Sequence, residues 1–190
     1  MEEPIIEDKK EKDKTERERQ TFYRVSFQNY SNLLQIADNK ANIIISINAL
    51  VISSLIALIS YGSISNQIEI HQPMVVGPIS IFLCLILFST FLAIQVAKPK
   101  IMGKTKDKTE KPQFSMLFFG ATDFLTYEEY LAETNRVLRS RSEIQDQMTK
   151  SLYFQGRVLS RKYKVLRQAY TVFTVALAFG VLVLIGNMIF

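Results

Sequence analysis

Residues 41–61 read ANIIISINALVISSLIALISY, and this uncharged stretch decides the fold class. An α-helix that crosses a bilayer needs about 20 predominantly apolar residues. Two further uncharged stretches of similar length are Met74–Ala97 and Ala169–Phe190. Three such stretches in a chain of 190 residues would leave a soluble protein too little polar chain to cover them. The sequence therefore predicts an all-α membrane protein with three transmembrane helices at residues 41–61, 74–97 and 169–190.

The distribution of basic residues predicts how the chain is oriented in the membrane. All 23 Lys and Arg lie in residues 1–40 and 98–167, and the connection 62–73 has none. Loops that carry Lys and Arg stay on the cytoplasmic side. We therefore expect a cytoplasmic N-terminus, an extracytoplasmic loop at residues 62–73 and a multi-pass protein of the cell membrane. The net charge of +5 follows from this topology and does not indicate binding to nucleic acid.

The first and third spans are predicted to continue as long cytoplasmic helices that pack into a helical module. Apolar residues recur at heptad-like steps ahead of the first span, at Tyr23, Phe27, Tyr30, Leu34, Ala37 and Ala41. The corresponding series ahead of the third span is Ile144, Met148, Leu152, Leu159, Tyr163, Leu166 and Tyr170. Such steps favour packed helices. The first helix is predicted over residues 15–61, with a capping box at Thr15 and Glu18, after a disordered charged N-terminus at residues 1–14.

The chain between the second and third spans divides into two parts. Residues 98–113 form a basic loop, rich in Lys and interrupted by Gly and Pro. Residues 114–168 are a cytoplasmic helical region that leads into the third span. A short helix is expected over 127–140, capped by Thr126 and Glu129. A second capping box, at Ser142 and Gln145, is expected to open the long helix, in which Gly156 marks close helix packing or a bend.

The scarcity of reactive side chains argues against an enzyme. The only Cys is Cys84, inside the second span, and the only His is His71, in the extracytoplasmic loop. A disulfide framework and a metal site are therefore not expected. The chain also has no Gly-rich phosphate-binding loop. The sequence predicts no catalytic set, no metal and no cofactor.

Polar residues recur within the first span, where polar groups are costly in hydrocarbon. On a helical wheel, Ser46, Asn48 and Ser53 share one half with other small or polar residues, and Ile44 falls on the opposite, lipid-facing half. Small and polar faces suit helix packing in membranes. Asn48 is therefore expected either to hold a bundle together by hydrogen bonds or to line a pore. At the cytoplasmic boundary, the level of Asp38 matches that of Arg167, so an ion pair between them is also expected.

Three separated stretches resemble one known family. They are ADNKANIIISINA at residues 37–49, LFFG at 117–120 and GRVLSRKYKVLRQAY at 156–170. In this order they are similar to the signature of the Pycsar effector transmembrane proteins. The resemblance covers roughly residues 22–185.

This resemblance implies an anti-phage defence effector of the bacterial inner membrane. On infection a cyclase makes cyclic CMP or cyclic UMP, the effector responds, and the membrane is compromised in an abortive infection. A single polar span cannot enclose a pore, so a homo-oligomer is expected. The resemblance does not supply binding residues. A nucleotide site needs a cation for the phosphate, an aromatic face and polar groups for the base edge. The candidates of these types are Asp38, Asn39, Asn42, Phe119, Arg157, Arg161, Lys162 and Tyr163.

Two other functions remain open from the sequence alone. The chain could be a small constitutive channel or transporter subunit, or a membrane scaffold for a cytoplasmic partner. The sequence also leaves open which nucleotide is preferred, whether it binds this chain directly or acts through a second protein, and how many copies assemble. A selective pore and a gross membrane lesion are equally compatible with it.

Overall fold

The computed structural model describes residues 3–64, 73–98, 115–117 and 125–189. These residues contain four helices and no strand: α1 (Glu3–Ile64), α2 (Pro73–Ala97), α3 (Tyr127–Leu138) and α4 (Arg141–Ile189). Three of the helices contain stretches long and apolar enough to cross a membrane, within Asp13–Gly62, Val76–Ala97 and Arg141–Gly186. The predicted all-helical fold with three spans is confirmed, and the first and third spans belong to the two long helices.

Helix α1 begins earlier than the sequence patterns predicted. It starts at Glu3, so residues 3–14 are helical rather than disordered, and Thr15 lies inside the helix instead of capping it. Residues 5–20 contain no Gly or Pro and are rich in Glu, Lys and Arg, which are good helix formers. Pro4 falls in the first turn, where its missing N–H costs nothing. With 62 residues, α1 is about 90 Å long at 1.5 Å per residue.

The chain divides into two compact units, each described by itself. The first contains Met1–Leu34 and Lys100–Leu159, and the second contains Gln35–Pro99 and Ser160–Phe190. Helices α1 and α4 contribute residues to both. In the first unit, α3 opens with the expected capping box, in which the Glu129 backbone N–H donates to Thr126 Oγ1 and the Glu129 carboxylate accepts from the Thr126 backbone N–H. These bonds to Thr126 lower the pKa of Glu129.

The turn from α3 into α4 corrects another predicted cap. Helix α4 begins at Arg141, so Ser142 lies in its first turn and is not the N-cap. The backbone carbonyl of Ser140 instead accepts from the Ile144 N–H at 3.1 Å. Arg136 bridges the two helices, because its guanidinium donates to Glu133 on α3 and to Glu143 on α4. Only two residues, Arg139 and Ser140, connect α3 to α4.

Several contacts hold α4 against α1 within the first unit, among them an ion pair in which Arg141 and Glu16 are 3.4 Å apart. The hydroxyls of Tyr23 and Thr149 share a hydrogen bond of 2.8 Å. Further along, a Cβ placed on Gly156 would lie 3.5 Å from the ring of Tyr30. The two helices are therefore in contact at Gly156, but a Cβ at this distance would make an ordinary van der Waals contact, so the packing there does not require Gly.

The second unit has a core of small side chains from all three spans. Its buried members are Ala37, Ala41, Ile44, Ala93, Val96, Leu166 and Ala169. Small residues let helix backbones approach closely in a membrane. The expectation for Ile44 was wrong, because only 1% of it is exposed. It lies three residues after Ala41 and four before Asn48, so it shares their packed face.

Polar links and an apolar cavity complete the second unit. Ser89 Oγ on α2 donates to the Ala169 carbonyl oxygen on α4 at 3.0 Å, and the bond is buried. An apolar cavity of about 460 Å³ lies between the three spans and is lined by Leu50, Pro78, Phe82 and others. Gly180 borders this cavity, and a Cβ there would come within 2.7 Å of the Phe82 ring. The absence of a side chain at position 180 thus lets this ring pack against the α4 backbone.

Candidate functional site

An ion pair between α1 and α4 is the centre of the candidate site. The Lys162 ammonium donates to Asp38 Oδ1 at 2.5 Å. Only 12% of the Lys162 side chain is exposed, against 38% for Asp38. The expected pairing of Asp38 with Arg167 was wrong. Lys162 lies four residues before the buried Leu166 and so shares its packed face, whereas Arg167 is rotated about 100° away and is exposed.

The second unit carries a strong excess of positive charge. Its described residues include six cations: Lys40, Lys98, Arg161, Lys162, Lys164 and Arg167. The only acid among those described residues is Asp38. These charged residues lie next to the ends of the spans: Asp38 and Lys40 precede the first, Lys98 follows the second, and the residues at 161–167 precede the third. A cluster of positive charges next to a low-dielectric region attracts anions more strongly than positive charges scattered over a surface do.

The predicted ligand residues of the second unit differ in how accessible they are. Arg161 is exposed and forms no ion pair with any described residue. Asn39 and Asn42 are also exposed, on the same helix as Asp38. Tyr163 is half-buried and packs against the core cluster. An anion could therefore reach the Arg161 guanidinium without disturbing the core, whereas the Tyr163 ring serves packing as well.

Of the two remaining predicted ligand residues, one belongs to the first unit and the other lies outside the described residues. Arg157 belongs to the first unit, where its guanidinium lies 6.0 Å from the centre of the Tyr153 ring and 3.4 Å from its hydroxyl. Phe119 lies outside the described residues. The second unit thus contains six of the eight predicted ligand residues, and the assignment of all eight remains a prediction. The six are Asp38, Asn39, Asn42, Arg161, Lys162 and Tyr163.

The polar residues of the first span separate onto different faces. Asn48 is fully buried and donates from Nδ2 to Thr90 Oγ1 on α2 at 2.9 Å. Ser46 and Ser53 are exposed, and Ser53 Oγ donates to the Ala49 carbonyl oxygen of its own helix. Asn48 therefore forms an interhelical hydrogen bond, and it does not share a face with Ser46 and Ser53.

A polar contact in the first unit was not anticipated from the sequence. Ser115 is fully buried, and its Oγ donates to the Gln147 carbonyl oxygen at 2.7 Å. The Gln147 side chain in return accepts from the Met116 N–H at 2.9 Å. These bonds fix residues 115–117 onto α4. They join residues about 30 positions apart, and no periodic pattern signals such a contact.

A comparison with family models supplies the identity. The model described as the Pycsar effector protein domain, PycTM, matches residues 22–187. The chain belongs to the Pycsar effector family. The match includes the Asp38–Lys162 pair and all three spans. Among the curated proteins and the solved structures, no match was found.

Membership of the Pycsar effector family carries a general function. Pycsar effectors belong to anti-phage defence and are activated by cyclic nucleotides. The three apolar helices agree with a membrane protein, and the matched domain suggests a non-enzymatic membrane effector. The protein is therefore a membrane effector of anti-phage defence.

Proposed function

We propose that this Pycsar effector senses a cyclic pyrimidine nucleotide, cyclic CMP or cyclic UMP, and permeabilises the bacterial inner membrane. The cell would then die before the phage matures. The observation that carries the proposal is that the described residues of the second unit include six cations and one acid, next to the spans. A trigger that binds there acts directly on the helices that cross the membrane.

The chemistry of the ligand fits this cluster. A cyclic nucleotide carries one phosphate charge, and a guanidinium is suited to bind phosphate through two parallel hydrogen bonds. Arg161 is an accessible guanidinium directly beside Lys162 in the chain, and Lys162 already pairs with Asp38. The exposed amides of Asn39 and Asn42 offer both donors and acceptors, which a pyrimidine edge requires. We assign phosphate binding to Arg161, and base recognition to the amide of Asn42.

The Asp38–Lys162 pair gives such a ligand a means to change helix packing. The pair joins α1 to α4. A phosphate beside Lys162 competes with the Asp38 carboxylate for the same ammonium. A ligand shifts a conformational equilibrium only if it prefers one of the two states. We propose that the bound nucleotide favours the packing in which this pair is loosened.

We also propose that the N-terminus lies in the cytoplasm, where a nucleotide made during infection is available. All 23 Lys and Arg lie in residues 1–40 and 98–167, and basic segments stay on the cytoplasmic side. We expect a phosphatase reporter that works only outside the cytoplasm to be active when fused after Phe190 and inactive when fused before Met1. The reverse pattern would contradict this orientation.

Binding and leakage measured on purified protein test the proposed function. We expect calorimetry to detect cyclic CMP or cyclic UMP but not cyclic AMP, and dye-filled vesicles to leak only after the active nucleotide is added. Leakage without nucleotide would instead favour a constitutive channel. If neither pyrimidine nucleotide binds the purified chain, direct sensing is wrong.

A further inference from the structure

One exposed face of α1 repeats every seven residues. Within the second unit, the exposed residues at positions a and d of this heptad are Ile36, Asn39, Ile43, Ser46, Leu50, Ser53, Ala57 and Ser60. The a positions are apolar (Ile, Ile, Leu and Ala), and the d positions are small or polar (Asn, Ser, Ser and Ser). This face is distinct from the packed one, because Ser46 and the buried Asn48 are two residues apart, about 200° around the helix. Leu50, at the edge of this face, also borders the cavity between the spans, although 68% of it is exposed.

The face suits neither water nor lipid. Ile36 precedes the membrane boundary predicted at Ala41, yet 44% of it is exposed. Within the span, Ser46, Ser53 and Ser60 are exposed at depths where a lipid-facing side chain is normally apolar. An apolar side chain outside the hydrocarbon and hydroxyls inside it are both covered if another protein helix packs along this face.

The period identifies a partner helix that runs parallel to α1. A strict repeat of seven residues keeps the a and d face of a helix turned toward a partner helix along its whole length, which is the pattern of a coiled coil. The a and d face of α1 is called the seam below. All copies of a membrane protein insert with the same orientation, so α1 helices from two copies are necessarily parallel. The Ser side chains at three d positions are small enough for close approach of two backbones.

The charges on α1 are compatible with an identical partner. Parallel copies place like charges side by side, which is destabilising. Between Arg24 and Asp38, however, the helix carries no charged residue. Asp38 is already paired with Lys162 within its own chain. Lys40 flanks the seam at an e position, and the g residue that would face it from a second copy is the neutral Gln35.

We propose that the heptad face of α1 from Ile36 to Ser60 binds the same face of a second copy of this chain. This inference deepens the homo-oligomer expected for the proposed function. The sequence grouped Ser46, Asn48 and Ser53 on one polar face, whereas the proposed seam contains Ser46 and Ser53 but not Asn48. Because the same face is used by both copies, the contact is isologous and closes about a two-fold axis along the membrane normal.

Disulfide cross-linking in native membranes tests the seam. The exposed Cys84 is first replaced by Ala, which leaves a chain without Cys. Single Cys residues are then introduced as Ser46→Cys and Ser53→Cys on the seam, with Leu58→Cys and Leu182→Cys as exposed controls off it. Two Cys residues form a disulfide only when their Cα atoms come within about 7 Å.

We expect oxidation without any nucleotide to cross-link the two seam variants several-fold more than either control. Equal or stronger cross-linking at Leu58 or Leu182 would overturn the seam. If one seam variant fails to accumulate, Ser60→Cys provides the same test one heptad further along. The experiment uses neither ligand nor leakage, so its result does not depend on nucleotide sensing. A protein that cross-links at the seam but binds no nucleotide would contradict only the proposed function.

Discussion

An Arg161→Ala variant is expected to bind the activating cyclic nucleotide about 10- to 100-fold more weakly than the wild type, because it loses a charge-assisted hydrogen bond to phosphate. The Arg161 side chain is exposed, so the variant should insert and fold normally. Lys162 is a poorer choice, since removing it would also strand the Asp38 carboxylate. Calorimetry on the purified protein gives the affinity, and circular dichroism checks the fold.

Two further variants separate a specific phosphate contact from general loss of charge. Arg161→Lys retains the charge without the planar fork, so we expect only part of the affinity to return. Arg139→Ala removes an equally exposed cation between α3 and α4, and should bind as the wild type does. If Arg161→Ala binds within about two-fold of the wild type, a difference near 0.4 kcal/mol, the phosphate is held elsewhere.

The features that the sequence predicted well are those with strong local signals. Uncharged stretches of the right length predicted three spans, and three apolar helices are found. The heptad steps that end at Ala37 and Ala41 predicted a packed face, and both residues are fully buried. The cap at Thr126 depends only on residues three positions apart, so it too was predicted correctly. None of these features requires knowledge of which helices are neighbours.

The errors arose where the outcome depends on tertiary contacts. The pattern of Thr15 and Glu18 resembles a cap, but continuous helix formers on both sides leave nothing there to end a helix. Matching membrane boundaries put Arg167 level with Asp38, yet rotation about the helix axis gave the contact to Lys162. The position of a residue along the helix axis and the direction of its side chain around that axis are independent. Matching the membrane boundaries predicted only the position along the axis.

The predicted polar residues show the same limit within the membrane. A helical wheel divided into halves put Asn48 together with Ser46 and Ser53, although the packed face is a narrower stripe. Its hydrogen bond to Thr90 depends on where α2 lies, which no pattern in α1 reveals. The sequence alone therefore predicts either a hydrogen bond between helices or a pore-lining position for Asn48. The position of Thr90 on α2 gives the hydrogen bond.

An Ala169→Leu variant is expected to lose about 3 kcal/mol of stability, since adding carbons to a packed site and breaking a buried hydrogen bond both cost free energy. Ala169 is fully buried among Ala37, Ala41 and Ala93, where small side chains allow close helix contact. Ser89 on α2 donates to the Ala169 carbonyl oxygen at 3.0 Å, so these two helices are in direct contact here. A Leu side chain would push α2 away and leave the Ser89 hydroxyl without this partner.

The same substitution on the opposite face of α4 provides the control. Ala178 is exposed and lies nine residues further along, which is about 180° around the helix. Ala178→Leu adds the same atoms toward lipid, so it should be neutral. The midpoint of detergent-induced unfolding, followed by circular dichroism, compares both variants with the wild type. Equal midpoints for Ala169→Leu and Ala178→Leu would mean that the small residues of the core are not packed closely, and that the three spans are held together by other contacts.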